Sequence, residues 1–298
     1  MRLYPQAMRS RAHQRRQLAN AAHVWIADPS EYTSEGDARH FVSLLSAHEQ
    51  VRWKSFHFPR DRLIYLTAHG LLRQVLSLYA DVPPAAWCFQ YGEHGKPVIA
   101  GPAQVRSLAF NLSHTDGAIV IIVTEAQACG VDVERVDPRI DIDFLAGAVH
   151  APAEQRAWRA TPDYLKVSRF LETWTLKEAY LKGIGCGIGA GVDCITLHRT
   201  GGNEVRVVDE SAAAWRLNFF HLSSGHVLAT ALMSGARQDI AIVLRRIELH
   251  RQTLENSRTA GEIDPRPVGE TDNLAWFPGM CACRSSAVHW TKHLIKEE

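Results

Sequence analysis

The run Gly130-Val131-Asp132-Val133-Glu134 constrains this chain more than any other five residues. Extended backbone sends successive side chains to opposite faces. Val131 and Val133 therefore enter a core, while Asp132 and Glu134 stand together on the other face. Neighbouring carboxylates repel, so that face must meet water or a cation. The segment reads as a strand with one dry face and one charged face.

The surrounding pattern supplies helices and more strands. His23 to Ala27 reads as a strand. Residues 38–56 read as one helix, on Phe41, Leu44, Leu45, Val51 and Trp53, and Asp61 to Tyr79 as another, ended by Pro83-Pro84. Trp87–Tyr91, Ser107–Leu112, Ala118–Thr124 and Cys129–Glu134 read as strands. Pro138 to Pro162 is irregular, with short helical pieces. A clear helix then runs from Asp163 to Lys182 and ends in a glycine-dense stretch, Gly183 to Gly191. Strands resume near Val192–His198, Glu204–Val208, Trp215–Leu222 and His226–Met233.

A faint repeat runs through this order. Phe110-Asn111-Leu112-Ser113-His114 leads into the apolar strand from Ala118, and Phe220-His221-Leu222-Ser223-Ser224 leads into the one from Val227. Both read strand, polar turn, strand. The expected fold class is α+β, a pseudo-twofold pair of similar α/β halves over residues 22–125 and 126–245. Residues 1–21 carry Arg2, Arg9, Arg11, Arg15 and Arg16 without an acid, and read as a basic, disordered leader rather than a transit peptide. Residues 246–298, with Pro265, Pro267 and Pro278, read as a loosely ordered extension.

Composition narrows the setting. With 46% hydrophobic and 22% charged residues, a packed globule is expected, and a net charge of +1 gives no overall pull toward nucleic acid or membrane. No apolar run nears the ~20 residues that span a bilayer. Six scattered cysteines and no secretory core point to a reducing cytoplasm. Cys281 and Cys283 precede His289 and His293, but Cys-x-Cys is a poor match to zinc-site spacing.

Candidate chemistry begins with Glu178 and Lys182, four apart on one helix face. Alone they are a surface ion pair worth ~0.3–0.5 kcal/mol. If Glu178 faces Asp132 and Glu134, three carboxylates share a pocket and need a divalent cation. Oxygen ligands favour magnesium over zinc, and magnesium commonly binds substrate phosphates. Ser113 and His114 diverge on extended backbone, so they suit separate donors to phosphate better than a catalytic dyad. Lys96, in Gly95-Lys96-Pro97, and Arg60, at a helix start, are cations for the same anion. Each feature also has an ordinary reading: sheet edge, turn, hairpin or surface pair.

In order, Gly95-Lys96-Pro97, Phe110-Asn111-Leu112-Ser113-His114, Gly130-Val131-Asp132-Val133-Glu134 and Trp174-x-x-Lys177-Glu178-Ala179-x-x-Lys182-x-x-Gly185-x-Gly187 resemble the 4′-phosphopantetheinyl transferases, surfactin-synthetase-type branch. The resemblance covers about residues 22–235. It implies transfer of 4′-phosphopantetheine from coenzyme A to a serine of an apo carrier protein, releasing adenosine 3′,5′-bisphosphate. It further implies a monomer of two halves with coenzyme A between them. Asp132, Glu134 and Glu178 would bind magnesium, and Lys182 would contact the phosphates. Ser113, His114, Arg60 and Lys96 would hold the nucleotide. Glu178 would be the general base, directly or through water. Thr115 stands where many relatives have serine, and Ile188 where leucine is common. Competing readings are a magnesium pyrophosphohydrolase and a non-catalytic binder of acyl-coenzyme A or a carrier. The glycine run follows a helix, which argues against a dinucleotide loop.

Overall fold

The structure, a computed structural model, describes residues 5–105, 107–187, 191–208, 214–233, 240–249 and 263–264. In chain order the elements are α1 (Pro5–Gln17), β1 (Ala21–Ala27), α2 (Glu35–Leu44), α3 (Ala47–Ser55), α4 (Pro59–Ser77), β2 (Cys88–Tyr91) and β3 (Pro97–Gly101). Then come β4 (Leu108–Thr115), β5 (Ala118–Glu125), β6 (Cys129–Arg135), α5 (Ile142–Val149), α6 (Pro152–Arg159) and α7 (Asp163–Ile184). The chain continues through β7 (Leu197–Gly201), β8 (Glu204–Val207), β9 (Trp215–Leu222), β10 (His226–Met233) and β11 (Ala241–Arg246). A two-residue ladder joins Glu248–Leu249 to Ile263–Asp264.

Two sheets form the body, ordered β11-β1-β5-β4 and β6-β10-β9-β8-β7. Their similarity is topological: β1 pairs antiparallel with the second strand of the β4–β5 hairpin, and β6 with the second strand of the β9–β10 hairpin. Alternation along each strand sorts the core into layers. Trp25, Ile119, Ile121 and Val123 face Leu71, Val75 and Leu76 of α4. On the opposite face Val24, Val120 and Ile122 meet Val131, Val133, Leu228 and Leu232 of the second sheet. Leu217, Phe219, Ala229 and Ala231 then face Leu176 and Ala179 of α7. The order is thus helix, sheet, sheet, helix, as expected for two similar α+β halves.

Several boundaries differ from the sequence pattern. The helix expected over 38–56 is two, because Ser46 starts a new one: its Oγ accepts from Glu49 N at 3.3 Å, while the Glu49 carboxylate accepts from Ser46 N at 2.8 Å. The region near Val192 opens with a 3₁₀ turn, Val192–Cys194, before β7 begins at Leu197. Strand β3, after Lys96, was hidden by its shortness and its leading proline.

The termini depart furthest. Residues 1–21 read as a disordered leader, yet Pro5–Gln17 is helical. Leu18 is buried in the first core, and Arg15 donates to Ser107 Oγ at 2.8 Å and Glu125 Oε1 at 3.0 Å. Strand β11, at the end of the expected second half and not marked as a strand by the sequence pattern, lies parallel beside β1 of the first, with Ala21 opposite Ala241. Arg245 on that strand donates to Gln14 Oε1 (2.6 Å) and Gln17 Oε1 (2.8 Å), so the two ends of the body are tied together. Nearly all of the expected extension, including Cys281, Cys283, His289 and His293, lies outside the described residues. No helix among the described residues is long and apolar enough to cross a membrane.

Candidate active site

Gly130 sets the site. A methyl group there would stand 1.9 Å from the Ala179 carbonyl oxygen and 2.5 Å from Gly183 N. Only a residue without Cβ lets α7 lie this close on β6. Two and four residues on, Asp132 and Glu134 share the Gly130 face and so stand against the same helix. That helix presents Glu178 and, one turn later, Lys182. The sequence pairing of Asp132 with Glu134 thus meets Glu178 and Lys182 across the fold.

Strand β4 lines the other side. Asn111 Oδ1 accepts from Val131 N at 2.9 Å, Ser113 Oγ donates to Asp132 Oδ1 at 2.8 Å, and Thr115 Oγ1 donates to Glu134 Oε2 at 3.2 Å. These three alternate residues form one polar stripe facing β6. Lys182 Nζ completes the cluster, donating to Asp132 Oδ1 at 2.6 Å and to Ser113 Oγ at 3.0 Å. Asp132 and Glu178 are buried, with 3% and 5% of their surface exposed.

Burial, aided by the Asp132 charge, pushes the Glu134 carboxyl well above the carboxylate range. Burial does the same to Glu178, against the opposing pull of Lys182. Burial works against the Lys182 ammonium, but the charges of Asp132 and Glu178 outweigh it and raise its pKa. One lysine among three carboxylates leaves the pocket short of positive charge.

The other expected ligands are distributed differently. His114 lies on the opposite face of β4 from Ser113 and is exposed. Lys96 Nζ is directed at backbone, donating to Gly183 O at 2.6 Å and Cys129 O at 3.3 Å, where it serves the carbonyl end of α7. Arg60, at the start of α4, has its Nη1 3.6 Å from Asp116 Oδ2. Ser113 belongs to the carboxylate cluster. Asn111 and Thr115 join the site beyond the residues expected of it, and their two-residue spacing from Ser113 is the signal that marks them.

Among the described residues, no three His, Cys, Asp or Glu side chains converge as a formed metal site. The donor set nevertheless suits a hard cation. Asp132 Oδ2 and Glu178 Oε1 are buried with no hydrogen-bond partner among the described residues, and unsatisfied buried carboxylate oxygens are unfavourable without a cation or donor. All the acidic ligands offered are oxygens, the set magnesium accepts.

Together these features describe an α+β enzyme with a buried carboxylate–lysine cluster against one long helix. Comparison with known proteins specifies it. Residues 128–231 match the 4′-phosphopantetheinyl transferase superfamily, and residues 31–127 match the 4′-phosphopantetheinyl transferase N-terminal family. The chain is 32% identical over 200 residues to the 4′-phosphopantetheinyl transferase HetI of Nostoc sp., covering 67% of this chain and 82% of that protein. It is 30% identical over 172 residues to a phosphopantetheinyl transferase of Thraustochytrium sp., covering 50% and 55%. With the 4′-phosphopantetheinyl transferase Sfp of Bacillus subtilis it shares 24% identity over 198 residues, covering 66% and 85%. The chain belongs to the 4′-phosphopantetheinyl transferase superfamily and is a transferase of phosphopantetheine to carrier protein.

Proposed function

We propose that the protein transfers 4′-phosphopantetheine from coenzyme A to a serine of an apo acyl, polyketide or peptidyl carrier protein, with a magnesium ion held by Asp132, Glu134 and Glu178. The observation that carries the metal assignment is the pair of buried, unpartnered oxygens, Asp132 Oδ2 and Glu178 Oε1, in a pocket short of positive charge. When bound, magnesium would neutralise the pyrophosphate and favour departure of the nucleotide.

The chain's own residues have distinct tasks. The carrier serine oxygen forms a bond to the β-phosphorus as the bond to the bridging oxygen breaks, releasing adenosine 3′,5′-bisphosphate. Glu178 accepts the serine proton, directly or through water. Lys182, oriented by Asp132 and Ser113, donates to phosphate oxygens and stabilises the charge on the leaving group. Thr115 orients Glu134. His114 and Arg60 hold the nucleotide. The same role for Lys96 requires it to leave the backbone carbonyls of Cys129 and Gly183.

The carrier meets the outer face of α5, where Phe144 is 80% exposed. Leu145, its neighbour, is half-buried against the cluster of Phe170 and Trp174 and belongs to the core. In this reading the enzyme is a cytoplasmic monomer with no nucleic-acid or membrane partner. The test is incubation with coenzyme A, magnesium and an apo carrier, read by mass. A gain of one phosphopantetheine on the carrier is expected. Coenzyme A consumed with an unchanged carrier would instead indicate a pyrophosphohydrolase.

A further inference from the structure

The turn between β4 and β5 contains a residue with no part in the reaction just described. Asp116 follows Thr115, the donor to Glu134. Its Oδ2 accepts from Arg135 Nη1 at 2.7 Å, and Arg135 follows Glu134 on β6. Arg60 Nη1, from α4, lies 3.6 Å from the same oxygen. The Asp116 carbonyl accepts from His226 Nε2 at 2.8 Å, and His226 faces Arg135 in the β6–β10 register. Because a carbonyl only accepts, Nε2 carries the proton and Nδ1 takes a hydrogen bond from Ser224 Oγ at 3.0 Å. His226 is 4% exposed, and a side chain at Gly117 would meet its ring at 3.4 Å. One turn of the first half is thus held by its side chain and its backbone to two strands of the second.

We infer that Asp116 is a positioning residue: it anchors Arg60 from α4 and Arg135 from β6 at the junction of the halves, and so presents the Arg60 guanidinium to the nucleotide of coenzyme A. The inference rests on the coenzyme A reading above. Two guanidinium groups share one carboxylate, which leaves the junction net positive and attractive to an anion. Arg60 meets Asp116 as an ion pair at 3.6 Å rather than through a hydrogen bond, so its N–H donors stay available for a phosphate. The side chain is therefore oriented without being fully consumed. Arg135 holds the carboxylate at the shorter distance and keeps it in place if Arg60 shifts toward a ligand.

The consequence is an affinity effect separable from stability. Ordering a long side chain on binding costs affinity, so loss of the anchor should weaken coenzyme A binding by about two- to tenfold. The experiment is calorimetric titration of coenzyme A into the full-length wild type, Asp116→Asn, Arg60→Ala and the double variant, with thermal midpoints measured in parallel. Asp116→Asn keeps the backbone carbonyl for His226 and removes only the charge. The expected result is a two- to tenfold rise in Kd for Asp116→Asn, with the midpoint within a few degrees of wild type. In the Arg60→Ala background, Asp116→Asn should add nothing. An unchanged or lower Kd in Asp116→Asn, or full additivity in the double variant, would overturn the inference and leave the coenzyme A reading intact. Absence of coenzyme A binding by the wild type would overturn both. If Asp116→Asn fails to fold, Asp116→Glu replaces it. Retention of wild-type Kd by that variant supports the anchor, and loss of the Arg60 dependence of binding contradicts it.

Discussion

Lys182 reaches from α7 to within 2.6 Å of Asp132 Oδ1, while Oδ2 of the same carboxylate is buried without a partner. One oxygen is neutralised by the protein's own ammonium, and the other has no partner among the described residues. This division of a single carboxylate underlies the assignment of Lys182 to the substrate phosphates and of Asp132 to a metal.

Removing Lys182 should therefore be felt in turnover. Lys182→Met keeps the stem and deletes the donor to Ser113 and Asp132. Loss of one such preorganised donor lowers kcat by about 10²–10³-fold. Steady-state rates of carrier modification check this, and a kcat within twofold of wild type would remove Lys182 from the mechanism.

Gly130 should tolerate no side chain. The alanine methyl would meet backbone, the Ala179 carbonyl and Gly183 N, and backbone on a packed helix cannot swing aside. Overpacking of this kind destabilises by about 1–3 kcal/mol. The expected result for Gly130→Ala is a lower urea midpoint together with a reduced transfer rate, because α7 carries Glu178 and Lys182. A variant as stable and active as wild type would mean that the contact between β6 and α7 is not tight.

Acid should reveal the buried pair on the first half. Glu49 and Arg73 are each 1% exposed and meet at 2.5 Å. Burial works to raise the Glu49 pKa, but hydrogen bonds from His69 and Ser46 and the Arg73 charge overcome it and bring the carboxyl down to about 2. A folded value below the unfolded one means that the unfolded chain binds more protons in between. The pair's stabilisation is therefore complete above the ordinary value of 4.5 and is lost as pH falls toward 2. Urea unfolding at pH 6 and pH 3 should show a drop that flattens in Glu49→Gln. Arg73→Ala, which strands the buried carboxylate, should cost about 3–5 kcal/mol at neutral pH.

The exposed ring on α5 gives a prediction about the partner. Phe144→Ser should raise the carrier KM with little change in coenzyme A binding, since Phe144 is 80% exposed and contributes little to folding. Leu145→Ser should lower stability instead, because Leu145 packs on the inner cluster. Carrier kinetics unchanged in Phe144→Ser would move the docking surface elsewhere.

What the sequence revealed follows from which interactions are local. Alternation along residues 130–134 already put Asp132 and Glu134 on one face, and the β9 and β10 limits match the apolar pattern at both ends. The contact of Glu178 with that face spans the fold, and only the family resemblance anticipated it. The break at Ser46 was hidden because apolar residues continue on both sides of it, and the capping pair decides there instead. Arginine-rich residues 1–21 resembled a leader because their stabilising partners, Glu125, Ser107 and Arg245, lie far along the chain. Strand β11 has no pairing partner nearby in sequence, so nothing local marked it as part of the first sheet. Lys96 carried an apparent anion-binding signal, yet its contacts are the backbone carbonyls of Cys129 and Gly183.

The most direct test of the account is the rate of phosphopantetheine gain by an apo carrier, followed by mass in wild type and Asp132→Asn as magnesium is removed and restored. The account predicts that the wild type stops on chelation, recovers with added magnesium, and exceeds Asp132→Asn by about 10²-fold or more at saturating metal. Undiminished transfer by the chelated wild type, or by Asp132→Asn, would contradict it.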